Sequence, residues 1–193
     1  MSDRMIKKVW NDSLDDEEGS SGAVVSTFQH VHTERLFLRK PENQDVTDIL
    51  RIHGNPATNR YNPHGPMTNN DEAAERLNDW QKSWANDGFG YWSIFAAEGS
   101  EIIGFGGISR IFWVGREALN LYYRFDNGSW GRGYATEIAR TAVQLAAEHL
   151  PDLPVIARIN PANSPSIKVA AKVGLRLNPM ASNNDYAVYT IRW

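Results

Sequence analysis

Cysteine is absent from this chain of 193 residues. Its absence excludes disulfide bonds, zinc sites with thiolate ligands and a cysteine nucleophile. A chain without disulfides suits a reducing cytosol, and we predict a cytoplasmic protein.

Long apolar runs are missing as well. No stretch approaches the roughly 20 residues that a membrane-spanning helix needs, and the amino terminus lacks the apolar segment of a signal peptide. We therefore expect no membrane association.

An excess of basic residues is also missing, since 20 Lys and Arg stand against 23 Asp and Glu. Residues 1–32 hold six acidic and three basic residues, which leaves the rest of the chain neutral. A neutral body offers no electrostatic basis for nucleic-acid binding and disfavours a polycationic ligand. The five histidines are scattered, without a close ligand spacing on one helix face. That pattern predicts solvated or capping histidines and no metal site.

Residues 1–31 differ in composition from the rest of the chain. The run Asp15-Asp16-Glu17-Glu18-Gly19-Ser20-Ser21-Gly22 is acidic and then rich in Gly and Ser, with nothing to bury. We predict a flexible acidic tail over residues 1–31, in which Trp10 is the exception and a candidate for docking on the body. Residues 32–193 contain no repeat and no linker, so we predict one domain there.

The body alternates segments that favour strands with segments that favour helices. The predicted strands are 33–39, 90–96, 102–108, 119–125, 155–159 and 185–193, and the predicted helices are 46–53, 70–86, 138–150 and 163–173. We interpret residues 110–114 as an apolar connection between two strands. This order predicts an α/β protein with a mixed sheet and helices on its faces.

The most informative stretch is Trp130-Gly131-Arg132-Gly133-Tyr134-Ala135-Thr136-Glu137, which lies where a strand turns into a helix. Backbone N–H groups are unpaired at a helix start and can bind an anion there. Glycine has no Cβ, so the backbone can approach a phosphate closely. Glu137 in the first helical turn suits the helix dipole and is interpreted as structural. A plain turn before a helix, or a nucleotide-phosphate site, would also explain the glycines, although the Gly-Lys-Ser/Thr ending of an NTPase loop is missing.

Four segments together resemble the GNAT superfamily of acyl-CoA-dependent N-acyltransferases, and within it the branch of the ribosomal-protein-alanine N-terminal acetyltransferases. The segments are 33–39, 104–108, 130–137 and 160–174, the last reading Asn160-Pro161-Ala162-Asn163-Ser164-Pro165-Ser166 at its start. The resemblance implies a mostly antiparallel central sheet with a splayed parallel strand pair and flanking helices. It also implies that acetyl-CoA donates an acetyl group to a primary amine by direct attack of the amine on the thioester.

The resemblance further implies which residues hold the coenzyme. N–H groups of residues 131–135 would surround the pyrophosphate, and the pantetheine arm would pair with the edge of strand 121–125 as an added strand does. Strand 155–160 would diverge there and open a path to the thioester. The implied contacts are Tyr123, Phe125, Gly131, Arg132, Gly133, Tyr134, Ala135, Asn160, Asn163 and Ser166. Plain helix capping is the alternative explanation for Asn163 and Ser166.

Direct transfer needs a base for the amine and an acid for the leaving thiolate. Asn120 stands where many relatives have a glutamate base, and Ala170 where many have a tyrosine acid. Ser166 is then the candidate acid, and Glu117, Asp185 or a water chain the candidate base. These departures leave a non-catalytic acyl-CoA sensor or scaffold as the alternative function.

The acceptor is not encoded by these motifs. We expect the loops 54–70 and 110–118 to select it, with His64 near the acceptor cleft. A protein N-terminus, an aminoglycoside, a polyamine and an amino acid all remain open. The apolar segment Ile111-Phe112-Trp113 is a candidate homodimer contact.

Overall fold

The computed structural model describes residues 27–193. Between residues 30 and 193 the chain forms eight strands and four α-helices. The strands are β1 His30–His32, β2 Leu36–Arg39, β3 Tyr91–Ala96, β4 Ile102–Trp113, β5 Arg116–Phe125, β6 Val155–Ile159, β7 Arg176–Leu177 and β8 Ala187–Ile191. The helices are α1 Val46–His53, α2 Asn70–Asp87, α3 Tyr134–His149 and α4 Ser164–Lys172. No helix in the described part of the chain is long and apolar enough to cross a membrane.

Local sequence signals set the ends of the helices. The Asn69 side chain accepts a hydrogen bond from the N–H of Glu72 and caps α2 at its start. Gly88 ends the same helix with a φ of 76°, a conformation that favours glycine. Asn163 caps α4 in the same way, through the N–H of Ser166. The predicted helices 70–86 and 163–173 are confirmed to within a residue or two.

All eight strands belong to one sheet, in the order β1-β2-β3-β4-β5-β6-β8-β7. Neighbouring strands are antiparallel except β5 and β6, which are parallel. These two strands pair only at Leu119 with Val155 and at Asn120 with Ile156. Beyond that point β5 continues to Phe125 along β4, while β6 continues to Ile159 along β8. The predicted mixed sheet with a splayed parallel pair is therefore confirmed.

The helices cover opposite faces of the sheet. Apolar residues of α1 and α2, including Ile49, Leu77 and Trp80, pack with Phe105 on one face. Residues of α3, including Ile138, pack in a larger cluster with Leu119, Leu121 and Phe125 on the other face. Successive residues of a strand point to opposite faces, so Tyr122 joins the α1/α2 side.

Two boundaries differ from the sequence-based expectation. Residues 110–114 are not a connection, because β4 and β5 pair without interruption from Gly104 with Phe125 to Trp113 with Arg116. A tight turn at Val114 and Gly115 joins the two strands. At the amino terminus, Phe28 is fully buried and β1 pairs with β2. The folded part thus begins before residue 32, and the predicted docking of Trp10 lies outside the described residues.

Candidate active site

An open strand edge borders the gap between β5 and β6. The N–H of Leu119 donates to the carbonyl of Pro154 over 2.8 Å, so this edge of β5 faces β6. Hydrogen-bonding groups of alternate strand residues point to the same edge. The last bonds of the parallel pair use the N–H of Leu121, so the carbonyl of Leu121 and the backbone groups of Tyr123 face the gap, where β6 no longer pairs with β5. The carbonyl of Phe125 is engaged, because it accepts from Trp130 Nε1 at 3.1 Å.

The glycine turn lies next to this edge and precedes α3. Gly131 and Gly133 have φ values of 75° and 80°, in the left-handed region that favours glycine. The carbonyl of Gly133 accepts from the N–H groups of Thr136 and Glu137. Within residues 27–193, the N–H groups of residues 131–135 have no protein acceptor. The turn thus presents five free amides at the positive end of a helix dipole.

Glu137 fixes the glycine turn to the start of β2. Its Oε1 accepts from Thr33 Oγ1 at 2.6 Å and from the N–H of Arg35 at 2.9 Å, and its Oε2 accepts from Arg35 Nε at 2.8 Å. Arg35 Nη1 in turn donates to the carbonyl of Arg132 over 2.8 Å. Burial raises the pKa of Glu137, but the hydrogen bonds from Thr33 and Arg35 outweigh it and hold that pKa below its ordinary value. The structural role predicted for Glu137 agrees with these contacts.

Helix α4 reaches the gap through Ser166. The Ser166 side chain lies beside Tyr123 on β5. Burial raises the pKa of Tyr123 to about 12, and hydrogen bonding to Ser166 offsets only part of that shift. Asn163 Oδ1 accepts from the N–H of Ser166 at 3.2 Å, so the cap of α4 positions this serine.

A polar cluster on the α1/α2 side of β5 was not predicted. His53 Nδ1 is 3.0 Å from the carbonyl of Ile49, and its Nε2 is 2.7 Å from the Tyr122 hydroxyl. A carbonyl only accepts, so Nδ1 carries the proton and Tyr122 donates to Nε2. Burial, with the nearby Arg124 charge, lowers the pKa of His53 to about 3. The prediction of a solvated or capping histidine is wrong for His53, which is buried and neutral.

Asn120 connects this cluster to β6. Its Nδ2 donates to the Tyr91 hydroxyl over 2.7 Å, and its Oδ1 accepts from Arg158 Nε at 3.2 Å. Burial is the main influence on Tyr91 and raises its pKa to about 12. Both polar atoms of Asn120 are thus engaged with protein side chains.

A cavity of about 440 Å³ opens at the end of β6. It is lined by Pro63, Asn160, Pro161, Ala162, Asn184, Asp185 and Tyr186. The cavity brings the predicted residues Asn160 and Asp185 together with the loop that follows α1. The neighbour of Pro63, His64, is exposed.

The structure does not bring all predicted catalytic residues together. Ser166 lies at the gap and Asp185 lies in the cavity. Glu117 lies at the opposite end of β5, two residues before the segment that pairs with β6, where its Oε2 is 3.0 Å from Arg110 Nη1. Within residues 27–193, no group of three or more His, Asp or Glu side chains is placed to hold a metal ion.

Comparisons with known proteins agree with this geometry. The model of the protein family described as Acetyltransferase (GNAT) domain matches residues 35–176. The uncharacterized N-acetyltransferase p20 of Bacillus licheniformis is 28% identical over 145 residues, which cover 74% of this chain and 79% of p20.

Solved structures show the same likeness. An acetyltransferase from Agrobacterium tumefaciens C58 superimposes with a TM-score of 0.75 at 26% identity, covering 86% of this chain and 96% of its own. The ribosomal-protein-S5-alanine acetyltransferase of Vibrio fischeri has a TM-score of 0.64 at 16% identity, with coverage of 84% and 95%, and shares the fold. The chain belongs to the GNAT acetyltransferase family and is an acetyl-CoA-dependent N-acetyltransferase.

Proposed function

We propose that acetyl-CoA binds with its pyrophosphate at the glycine turn and its pantetheine arm in the gap between β5 and β6. The observation that carries this proposal is the set of five free amides at residues 131–135, next to the open edge of β5. A methyl group added at Gly131 would meet nothing within 4 Å, so there is room for a bulky anion against the turn. Free amides, left-handed glycines and a helix N-terminus together suit a pyrophosphate.

The contacts proposed for the arm follow from the strand edge. The carbonyl of Leu121 and the backbone groups of Tyr123 would pair with the two pantetheine amides, as an added strand would. Asn160 at the end of β6, and Asn163 and Ser166 at the start of α4, would lie on the far side of the gap. Arg132 would add a charge-assisted hydrogen bond to the pyrophosphate. Bound here, acetyl-CoA supplies the activated acetyl thioester.

The protein's own groups would handle the protons. Asn120 cannot take a proton at neutral pH, and it is already held by Tyr91 and Arg158. Asp185 lines the cavity from which an amine would enter. We propose that its carboxylate is the base that accepts the proton of the amine. Ser166, whose side chain lies beside Tyr123 at the gap, would donate the proton of its hydroxyl to the leaving CoA thiolate. Glu117 is left out of this proposal, because Arg110 holds it at the far end of β5.

Release of CoA thiol tests the proposal. Acetyl-CoA would be incubated with a panel of primary amines that includes amino acids, polyamines and peptides with free N-termini. We expect acetyl transfer to at least one amine, with turnover reduced in Asp185→Asn and unchanged in Glu117→Gln. Acetyl-CoA binding without transfer to any amine would contradict the proposed function.

A further inference from the structure

Within residues 27–193, Arg76, Arg124 and Arg158 on the α1/α2 side of the sheet have no carboxylate partner. Arg124 on β5 and Arg158 on β6 point to this side, and Arg76 lies on α2. None of the three forms an ion pair within residues 27–193. The side of the gap from which an acceptor would enter therefore carries guanidinium groups that no direct ion pair within the described residues neutralises, although the chain as a whole is slightly acidic.

Arg158 is held in a defined orientation. Its guanidinium lies 5.0 Å from the centre of the Trp113 ring and 5.7 Å from that of Tyr186. Its Nε donates to Asn120 Oδ1, and its two terminal nitrogens have no acceptor within the described residues. The side chain is exposed, and Tyr186 also lines the cavity that contains Asp185. A planar guanidinium with two free nitrogens is the group that binds a carboxylate in a bidentate manner.

Arg124 and Arg76 extend this positive region toward α1 and α2. Arg124 Nη1 donates to Asn59 Oδ1. The amide of Asn59 also donates to the carbonyl of His53 over 2.7 Å, which ties the loop after α1 to the cluster. Burial raises the pKa of Tyr122, and the positive charges of Arg124 and Arg76 act in the opposite direction and lower it. Arg124 is therefore next to the Tyr122 hydroxyl, and the charge of Arg76 acts on it from α2.

We propose that the acceptor is a small molecule with a carboxylate as well as its primary amine, as in an α-amino acid, and that Arg158 binds the carboxylate. The inference rests on the proposed function, because it assumes that an amine enters from this side. The cavity of about 440 Å³ adjoins Arg158, because Tyr186 lines the cavity and also packs against the Arg158 guanidinium. Asp185, which lines this cavity, would attract the ammonium group, while Arg124 and Arg76 would add attraction for the carboxylate and repel polyamines.

Matched pairs of acceptors test the assignment. The standard amino acids with a primary α-amine would be assayed beside their primary carboxamides, together with spermidine and a C-terminally amidated peptide of neutral residues. CoA release would give kcat and KM for each. An amide retains the amine and the side chain and loses only the carboxylate charge. We expect transfer to one or more amino acids, with a KM at least roughly tenfold lower than that of the corresponding amide.

Variants of Arg158 test its role directly. Arg158→Gln should raise the KM for the free amino acid by roughly 10- to 100-fold, the range for loss of a charge-assisted pair, and leave the KM for the amide unchanged. Arg158→Lys should retain part of the preference for the acid, because it keeps the charge and loses the planar fork. Arg140→Gln is the control, since Arg140 is exposed on α3, on the other face of the sheet.

The outcomes separate this inference from the proposed function. Amides, spermidine or the peptide acetylated as well as the free acids would overturn the inference and leave the proposed function standing. An undiminished preference for the acid in Arg158→Gln would also overturn it. A protein that binds acetyl-CoA and acetylates none of these amines would overturn both.

Discussion

Substitution of Glu137 measures how much its contacts with residues 33–35 stabilise the folded protein at the glycine turn. Replacing it by Gln removes the charge that two side-chain groups and one backbone N–H of residues 33–35 share. A hydrogen bond to a charged group contributes roughly 1.5–3 kcal/mol when buried, and an exposed ion pair roughly 0.2–1 kcal/mol. The Glu137 side chain is 13% exposed and that of Arg35 is 46% exposed. The ion pair is therefore discounted, and the expected loss is about 1–2 kcal/mol of unfolding free energy.

Urea unfolding of Glu137→Gln measures this loss, and Glu148→Gln is the control. Glu148 lies on the same helix and is 68% exposed, so its replacement should change the midpoint little. The folded-state pKa of Glu137 lies below the ordinary value of 4.5. The contribution of Glu137 to the unfolding free energy should then be complete above the ordinary pKa and disappear as the pH falls through the folded-state pKa. The difference between wild type and Glu137→Gln isolates this titration from that of other groups.

A less ordered glycine turn should also bind acetyl-CoA more weakly. Arg35 donates a hydrogen bond to the carbonyl of Arg132 in the turn, and Glu137 accepts a hydrogen bond from Arg35 and so holds it in place. We expect the Kd for acetyl-CoA to rise about three- to tenfold in Glu137→Gln, because a less ordered turn has more conformational freedom to lose on binding. If both glutamate variants unfold at the wild-type urea midpoint at neutral pH, or if the deficit of Glu137→Gln persists in acid, the reasoning is refuted.

Three other substitutions have expected outcomes. Tyr122→Phe leaves His53 Nε2 buried without a partner, so urea unfolding should show a loss of about 1–3 kcal/mol, and an unchanged midpoint would contradict the buried hydrogen bond between these two residues. Ser166→Ala should lower kcat with little change in acetyl-CoA affinity by calorimetry, whereas full activity would remove Ser166 from the proton transfer. Glu117→Gln should leave kcat/KM for the amine within about twofold of wild type, since Arg110 holds Glu117 at the far end of β5; a large loss would return Glu117 to the site.

The architecture could be predicted because its signals are local. Asn69 and Gly88 mark the ends of α2 within a few residues of its apolar face. The glycine turn follows directly on β5, so a single segment predicts the strand, the turn and the helix start. By contrast, residues 110–114 contain consecutive apolar residues without alternation, and only their pairing with the start of β5 shows that they form a strand.

The polar side of the site could not be predicted, because it is assembled from distant segments. Tyr91, Asn120 and Arg158 come from three different strands, and none belongs to a recognisable motif. His53 carried a usable signal. It lies four residues after Ile49, on the apolar face of α1, where a buried histidine with a backbone partner is expected. Glu117 was a candidate because of its residue type, and only the register of β5 shows how far it is from the gap.

The proposed site depends on the binding of the coenzyme pyrophosphate by the amides of residues 131–135. Calorimetry of acetyl-CoA with Gly131→Asp, compared with Gly115→Asp, measures this binding. The two glycines have φ values of 75° and 79°, and a Cβ at either would meet nothing within 4 Å, so the folding cost should be equal. We predict that affinity falls by at least about a hundredfold in Gly131→Asp alone, because a carboxylate would face the pyrophosphate. Equal affinity in the two variants would contradict the claim.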